Sequence, residues 1–251
     1  MLRLILDAHG GTLPDGVNAC FQNTGKERPE TLDFVEECSQ RWGVRIVWLE
    51  RSPDGIVVVD HATASRDGAP FTAWTRKRNF LPNQQARFCT VEMKVYAQRD
   101  FMRLLGHGDE WTNVVGLRAD EMNRVVRARS NRRDWDSVCP LASAGVVKAD
   151  VEAFWKTQPF DLRLKAWEGN CDLCFLKGMA KRTRIMRDRP DLAQWWIDRE
   201  NEISLTTTSA NGARFRADTP DFASLLAWAQ QPRLFDEDSD PTNAVDCSCT
   251  D

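Results

Sequence analysis

Residues 17–35, Val-Asn-Ala-Cys-Phe-Gln-Asn-Thr-Gly-Lys-Glu-Arg-Pro-Glu-Thr-Leu-Asp-Phe-Val, contain the pattern that decides the fold. A short apolar run ends at Asn23-Thr24-Gly25, and Pro29 is a residue type that favours the first turn of a helix. The stretch therefore predicts a strand, a glycine-bearing turn and a helix, in that order. In α/β sheets, ligands bind where strands lead into such turns.

Strand and helix patterns alternate along the rest of the chain. The predicted strands lie near 17–22, 44–49, 56–59 and 112–117, and the predicted helices near 2–9, 29–42, 70–80, 91–105, 119–127, 148–156, 177–188 and 191–202. Alternating strands and helices imply βαβ units and a parallel sheet with flanking helices. We expect an α/β nucleotide-binding domain over 1–135, a helical part over 136–204, and a hairpin followed by an acidic mobile tail over 205–251.

Four stretches resemble the phosphoadenosine phosphosulfate (PAPS) reductase family of adenine-nucleotide enzymes, and they occur in the family's order. They are Asn23-Thr24-Gly25 with Glu30-Thr31, Arg87-Phe88-Cys89-Thr90 with Lys94, Gly116-Leu117-Arg118-Ala119-Asp120-Glu121, and Gly169-Asn170-Cys171-Asp172-Leu173-Cys174-Phe175-Leu176-Lys177. The resemblance implies an adenine-nucleotide alpha-hydrolase-like fold. It also implies that ATP or PAPS binds to a set of residues drawn from three of these stretches: Asn23, Thr24, Gly25, Arg87, Lys94, Arg118 and Glu121.

The chain departs from that family at its beginning. The family's pyrophosphate loop, Ser-Gly-Gly-x-x-Ser, belongs just before the first helix, but this chain opens with Met-Leu-Arg-Leu-Ile-Leu-Asp-Ala-His-Gly-Gly. That opening already has a helical apolar face and a glycine C-cap signal. Either the start codon has been assigned too late or the phosphate-binding loop has been lost. The strands at 17–22 and 112–117 should then flank a gap, and the chain should aggregate or form a homodimer through it.

The composition is that of an ordinary globular domain. The chain has 251 residues, of which 42% are hydrophobic, and it is long enough to bury a core. It contains no run that could span a bilayer and no signal peptide, so we expect a cytoplasmic protein without a membrane partner. From Asp236 onward there are six acidic residues and no basic ones. Basic residues cluster over 118–133 and 177–189, which suits phosphate-bearing ligands, although solvated helix faces have the same pattern.

Eight cysteines in a chain without a secretion signal favour metal or thiol chemistry over disulfides. Cys171 and Cys174 have the C-x-x-C spacing that can chelate one metal or two corners of a cluster. Related sulfur-transfer enzymes hold iron–sulfur clusters with cysteines distributed like Cys89, Cys171 and Cys174, so the resemblance implies such a cluster here. Zinc and a free redox pair are the alternatives. Cys139 is the candidate fourth ligand, although burial as an apolar residue is the simpler interpretation.

Two further cysteines, Cys247 and Cys249, lie in the acidic tail. Assimilatory PAPS reductases attack the sulfonate sulfur with a cysteine in a C-terminal Glu-Cys-Gly-x-His motif, which Val-Asp-Cys-Ser-Cys-Thr-Asp does not match. The surrounding acidity should also raise the pKa of these thiols. Both residues are therefore weak candidates for a catalytic nucleophile.

Three functions follow from these patterns. The first is a PAPS-reductase-like enzyme of sulfur metabolism that acts on an adenine (sulfo)nucleotide with electrons from a thiol donor. The second is ATP-dependent, iron–sulfur-assisted thiolation of a nucleic acid or a small molecule, with sulfur supplied by a donor protein. The third is a truncated, non-catalytic nucleotide-binding remnant, because the phosphate loop is missing.

Overall fold

The computed structural model describes residues 1–108, 110–130, 135–209 and 212–232. The strands are β1 (Ala19–Gln22), β2 (Ile46–Ser52), β3 (Gly55–Val59), β4 (Thr112–Val114) and β5 (Asp136–Val138). The helices are α1 (Leu2–Ala8), α2 (Pro29–Trp42), α3 (Ala69–Arg78), α4 (Phe88–Thr90), α5 (Tyr96–Leu104), α6 (Met122–Ser130), α7 (Pro140–Ser143), α8 (Lys148–Lys156), α9 (Met179–Asp188), α10 (Ala193–Ser204) and α11 (Phe222–Ala229). A π-helical segment, Val91–Val95, joins α4 to α5, and short 3-10 turns precede α6 and α10.

The fold is mixed α/β, with a small sheet that contains a parallel pair. β1, β2 and β3 form one sheet in that order, and β4 pairs with β5 in a second, parallel sheet. β1 and β2 are parallel and are connected through α2, as a βαβ unit requires. β3 runs antiparallel to β2, contrary to the fully parallel sheet that the sequence predicts. Only Pro53 and Asp54 separate β2 from β3, and so short a connection permits a hairpin but no crossover.

Helix α2 fixes the position of the loop that follows β1. It begins at Pro29, and it ends at Gly43, whose φ of 59° is left-handed and whose N–H donates to the Ser39 and Gln40 carbonyls. These are the residue types that favour a helix start and stop, which is why the predicted bounds of 29–42 are confirmed. Residues 23–28, called the β1 loop below, are consequently held between the end of β1 and the start of α2.

Two local predictions are wrong. Residues 91–105 do not form one regular helix, because the π-helical segment interrupts the pattern before α5. The segment 205–216 contains no strand in its described part, so the predicted hairpin is absent there. Tertiary contacts explain why the hairpin does not form. Phe215 is buried in the core, and its N–H donates to the Glu200 carboxylate at 3.3 Å instead of pairing with a neighbouring strand.

The largest apolar cluster joins the two halves of the chain. Trp196 is fully buried at its centre, with the Phe222 ring stacked at 5.2 Å, and Phe71 of α3 packs against the same tryptophan. Cys171 and Cys174 belong to this cluster. Across the described ranges, no helix is long and apolar enough to cross a bilayer.

A cavity of about 530 Å³ lies between β1 and β4. All three residues of β4 line it, together with Ala19, Cys20 and Phe21 of β1. The other walls include Leu2 and Ile5 of α1 and Phe101 and Met102 of α5. Within the part of the chain that the structure describes, β1 pairs only with β2, and β4 only with β5. The cavity therefore separates two strands that each have one edge without a strand partner.

Candidate functional site

The β1 loop and the C-x-x-C turn are joined through their backbones. The Arg28 N–H donates to the Asn170 carbonyl at 2.6 Å, and the Asp172 N–H donates to the Lys26 carbonyl at 2.9 Å. Between these bonds, Glu27 and Cys171 form an isolated antiparallel bridge. Residues 170–174, called the cysteine turn below, are therefore held against the carboxyl end of β1 although they lie far away in the sequence.

The β1 loop is closed by internal hydrogen bonds, and its predicted ligand-binding residues Asn23 and Thr24 are buried. The Asn23 side-chain amide donates to Glu50 Oε1 at 2.6 Å and to the Ser65 carbonyl at 2.8 Å. Asn23 Oδ1 accepts the Gly25 N–H at 3.1 Å. Gly25 has a φ of +78°, and a Cβ there would lie 3.0 Å from the Gly68 backbone. Asn23 and Gly25 thus shape the loop, and a larger residue at position 25 would push the two backbones apart.

Lys94 is the member of the Arg-x-Cys…Lys segment that reaches the β1 loop. Its Nζ lies 3.4 Å from Glu27 Oε1, and its side chain is 20% exposed. The residue belongs to the π-helical segment, a helix type that is rare and often occurs at functional sites. Arg87 and Cys89 lie just before it, as the N-cap and the second residue of α4. The segment therefore places one cation at the boundary between the buried loop and the solvent.

The remaining segment of the four, residues 116–121, follows β4 and is organised around its own ion pairs. The Arg118 N–H donates to Glu121 Oε2 at 3.1 Å, and its guanidinium Nε donates to Asp120 Oδ1 at 2.9 Å. The hydrogen bond from Arg118 lowers the pKa of the Asp120 carboxyl. Glu121 also pairs with Arg124 of α6. Arg118 is thus a cation at the end of β4 that is bound to its neighbouring carboxylates.

Buried charges hold the cysteine turn in place. The Asp172 carboxylate pairs with Lys26 Nζ at 2.8 Å and accepts the Trp196 indole N–H at 2.8 Å. Lys177 Nζ donates to the carbonyls of Cys171 and Asp172. Both lysines and Asp172 are buried. The backbone of the turn is therefore fixed from both sides, and Cys171 and Cys174 are 8% and 4% exposed.

The thiols of Cys89, Cys139, Cys171 and Cys174 are not arranged as one assembled metal site. In the described part of the chain, no three His, Cys, Asp or Glu side chains are arranged as a group that could hold a metal. Cys89 packs against the same apolar cluster as Cys171 and Cys174, whereas Cys139 is fully buried in a separate cluster with Leu117. The structure thus places two thiols on one turn and a third beside the same core. Cys247 and Cys249 lie outside the described residues.

Two other cysteines, Cys20 and Cys38, are packing residues. Burial raises the pKa of the Cys20 thiol in β1 to about 11. Burial, with a smaller effect from Glu37, raises the pKa of the Cys38 thiol in α2 to about 12. Both thiols remain protonated at neutral pH and are poor nucleophiles there.

The charged residues Lys26, Glu27 and Arg28 are part of the site, and the sequence analysis missed them. All three are buried. Lys26 lies over the Trp195 ring at 4.9 Å from its centroid, and Arg28 pairs with Glu168 at 3.0 Å. The sequence does contain a pattern that could have identified them, because three charged residues in succession follow the glycine of a strand–turn–helix pattern. That position at a strand end is where ligand-binding groups gather.

The chain is similar to one protein of uncharacterized function. It is 29% identical over 196 residues to the uncharacterized nin region protein ORF290 of Escherichia phage lambda, a match that covers 70% of this chain and 62% of that protein. The chain therefore spans less than two thirds of that relative's length. No protein-family model matches the chain, and no solved structure matches it.

Proposed function

We propose that this chain is a PAPS-reductase-like enzyme that binds an adenine (sulfo)nucleotide at the carboxyl end of β1 and acts in sulfur metabolism. The observation that carries the proposal is the meeting of the β1 loop, Lys94 and the cysteine turn in one network. These are three of the four segments that resemble the family, and they are distant in the sequence. The carboxyl end of a parallel strand is also where ligands bind in α/β sheets.

Each part of the network has a chemical role in this proposal. Lys94 supplies a compact positive charge for a phosphate or sulfate group, and Arg87 and Arg118 supply planar guanidinium groups that can bind such groups in a bidentate manner. The β1 loop joins the end of β1 to the cysteine turn. Cys171 and Cys174, with Cys89, would hold an iron–sulfur cluster or, alternatively, zinc. A cluster there would provide an iron position that could carry a sulfide.

The first prediction concerns Lys94. Substitution Lys94→Met keeps the unbranched stem and removes the charge, so ATP and PAPS should bind roughly ten- to hundredfold more weakly, as expected for one lost charge-assisted hydrogen bond. Isothermal titration calorimetry measures both affinities. The matched control is Lys77→Met, because Lys77 is an exposed lysine on α3. The Lys77→Met variant should bind both nucleotides with the affinity of the unmodified chain.

Arg118→Ala extends the same test to the end of β4. Its control is Arg45→Ala, because Arg45 is exposed and precedes β2, at the opposite end of that strand from the β1 loop. If Lys94→Met and Arg118→Ala bind both nucleotides as tightly as the unmodified chain, the proposed site is wrong. Binding of ATP with no binding of PAPS would favour the thiolation alternative.

A second candidate function is nucleotide binding without catalysis, and the observation that bears on it is the cavity between β1 and β4. One extended segment in that cavity could pair with the open edges of both strands. In the resembling family, the strand that precedes the phosphate loop lies in the middle of the sheet. Buried backbone groups that lack partners cost about 1–3 kcal/mol each, so a segment that paired with both edges would stabilise the fold wherever it buried them.

The second prediction follows from this cavity. A form extended at its amino end by an added strand and a Ser-Gly-Gly-x-x-Ser loop should melt at a higher temperature and bind ATP more tightly than the 251-residue chain. The 251-residue chain should self-associate through the open edges. Thermal melts, nucleotide titration and light scattering of both forms test this. A 251-residue chain that is monomeric, equally stable and equally able to bind ATP would contradict it.

A further inference from the structure

Glu27 is a buried carboxylate at the centre of the β1 loop. Its side chain is 1% exposed. Oε2 accepts two hydrogen bonds from Thr24, one from the backbone N–H and one from the hydroxyl, each at 2.8 Å. Oε1 has no hydrogen-bond partner and lies 3.4 Å from Lys94 Nζ. The backbone of the same residue bridges to Cys171.

The negative charge of Glu27 is not needed to close the loop. A glutamine could accept the same two bonds from Thr24 through its side-chain carbonyl oxygen, without the cost of burying a charge. The two neighbouring cations have carboxylates of their own, since Lys26 pairs with Asp172 and Arg28 with Glu168. A carboxylate attracts the Lys94 ammonium through its negative charge, whereas a neutral amide does not.

We propose that Glu27 is a positioning residue that holds the Lys94 ammonium beside the β1 loop, where it meets the phosphate or sulfate of the nucleotide. This inference rests on the proposed function of the site. A lysine side chain has a flexible four-carbon stem, so a free lysine loses conformational entropy when a ligand orders it. An ion pair that orders the ammonium beforehand reduces this loss and raises affinity.

A double-mutant cycle separates positioning from a merely structural role. Glu27→Gln should weaken ATP binding about tenfold in the unmodified chain and less than about twofold in the Lys94→Met background, because the two residues act through one interaction. The matched control is Glu37→Gln on α2, since Glu37 is another carboxylate in ion pairs, with Arg41 and Arg163, and lies outside the proposed site. It should leave ATP binding unchanged. The inference would be overturned if Glu27→Gln weakened ATP binding equally in both backgrounds, or if it did not weaken ATP binding in the unmodified chain.

A measurement without ligand keeps the inference independent of the proposed function. In the reductively methylated protein, the ¹³C signal that Lys94→Met removes belongs to Lys94. That signal should move in Glu27→Gln and stay in place in Glu37→Gln. An unmoved signal would overturn the inference even if ATP binds. Absence of ATP binding to the unmodified chain, with a moved signal, would instead overturn the proposed function and leave Glu27 as the residue that orders Lys94.

Discussion

Asp172→Ala should lower the free energy of unfolding by about 3–5 kcal/mol, because it removes one partner of a buried ion pair. The Asp172 carboxylate is 4% exposed, pairs with Lys26 at 2.8 Å and accepts the Trp196 indole N–H at 2.8 Å. The substitution would leave the Lys26 ammonium buried without its counter-charge. It would also leave the indole N–H of the most central tryptophan without an acceptor. Urea denaturation followed by tryptophan fluorescence measures the change.

Asp191→Ala is the control for this prediction. Asp191 is exposed, and its pair with Arg189 at 2.7 Å is of the surface type, so its loss should change the free energy of unfolding by less than about 0.5 kcal/mol. The free energy of unfolding of Asp172→Asn should lie between those of the two alanine variants, because asparagine can still accept the Trp196 N–H but carries no charge. Similar stability of Asp172→Ala and Asp191→Ala would show that the buried network does not stabilise the fold.

The parts of the fold that the sequence predicts are those specified by local chemistry. Pro29 and Gly43 set the ends of α2, and the apolar run before Asn23 sets β1. The three-residue strand β5 is too short to show any periodicity, so it could be found only through its pairing with β4. The helix α11 was also missed, although Asp221 caps it by accepting the Ser224 N–H at 2.7 Å.

The candidate site was predictable in position but not in its interactions. The resemblance selects the β1 loop, Lys94 and the cysteine turn, yet no local pattern indicates that Lys26, Glu27 and Arg28 are buried. Charged residues beside a glycine turn are usually solvated. Here their partners, Lys94, Glu168 and Asp172, come from distant parts of the chain and replace water. Long-range ion pairs of this kind become visible only when the chain is folded.

Protein purified without oxygen should be brown, and Cys171→Ser should abolish the colour completely. The expectation rests on the two thiols of the cysteine turn and on Cys89 beside the same apolar cluster. Without Cys171, only two of the three thiols proposed to hold the cluster would remain, so we expect the cluster to be lost. Absorption spectra with iron, sulfide and zinc analysis of the purified protein measure the result.

Two serine variants decide which cysteines belong to the cofactor. Cys38→Ser should keep the colour, because Cys38 is a packing residue of α2 whose thiol pKa is raised to about 12. Cys139→Ser should also keep the colour if Cys139, which lies in a separate apolar cluster, is not the fourth ligand of the cofactor. A colourless protein with one zinc ion per chain would establish the zinc alternative. A protein with neither metal would refute the cofactor proposal, and Cys171 and Cys174 would then be a buried thiol pair on the cysteine turn.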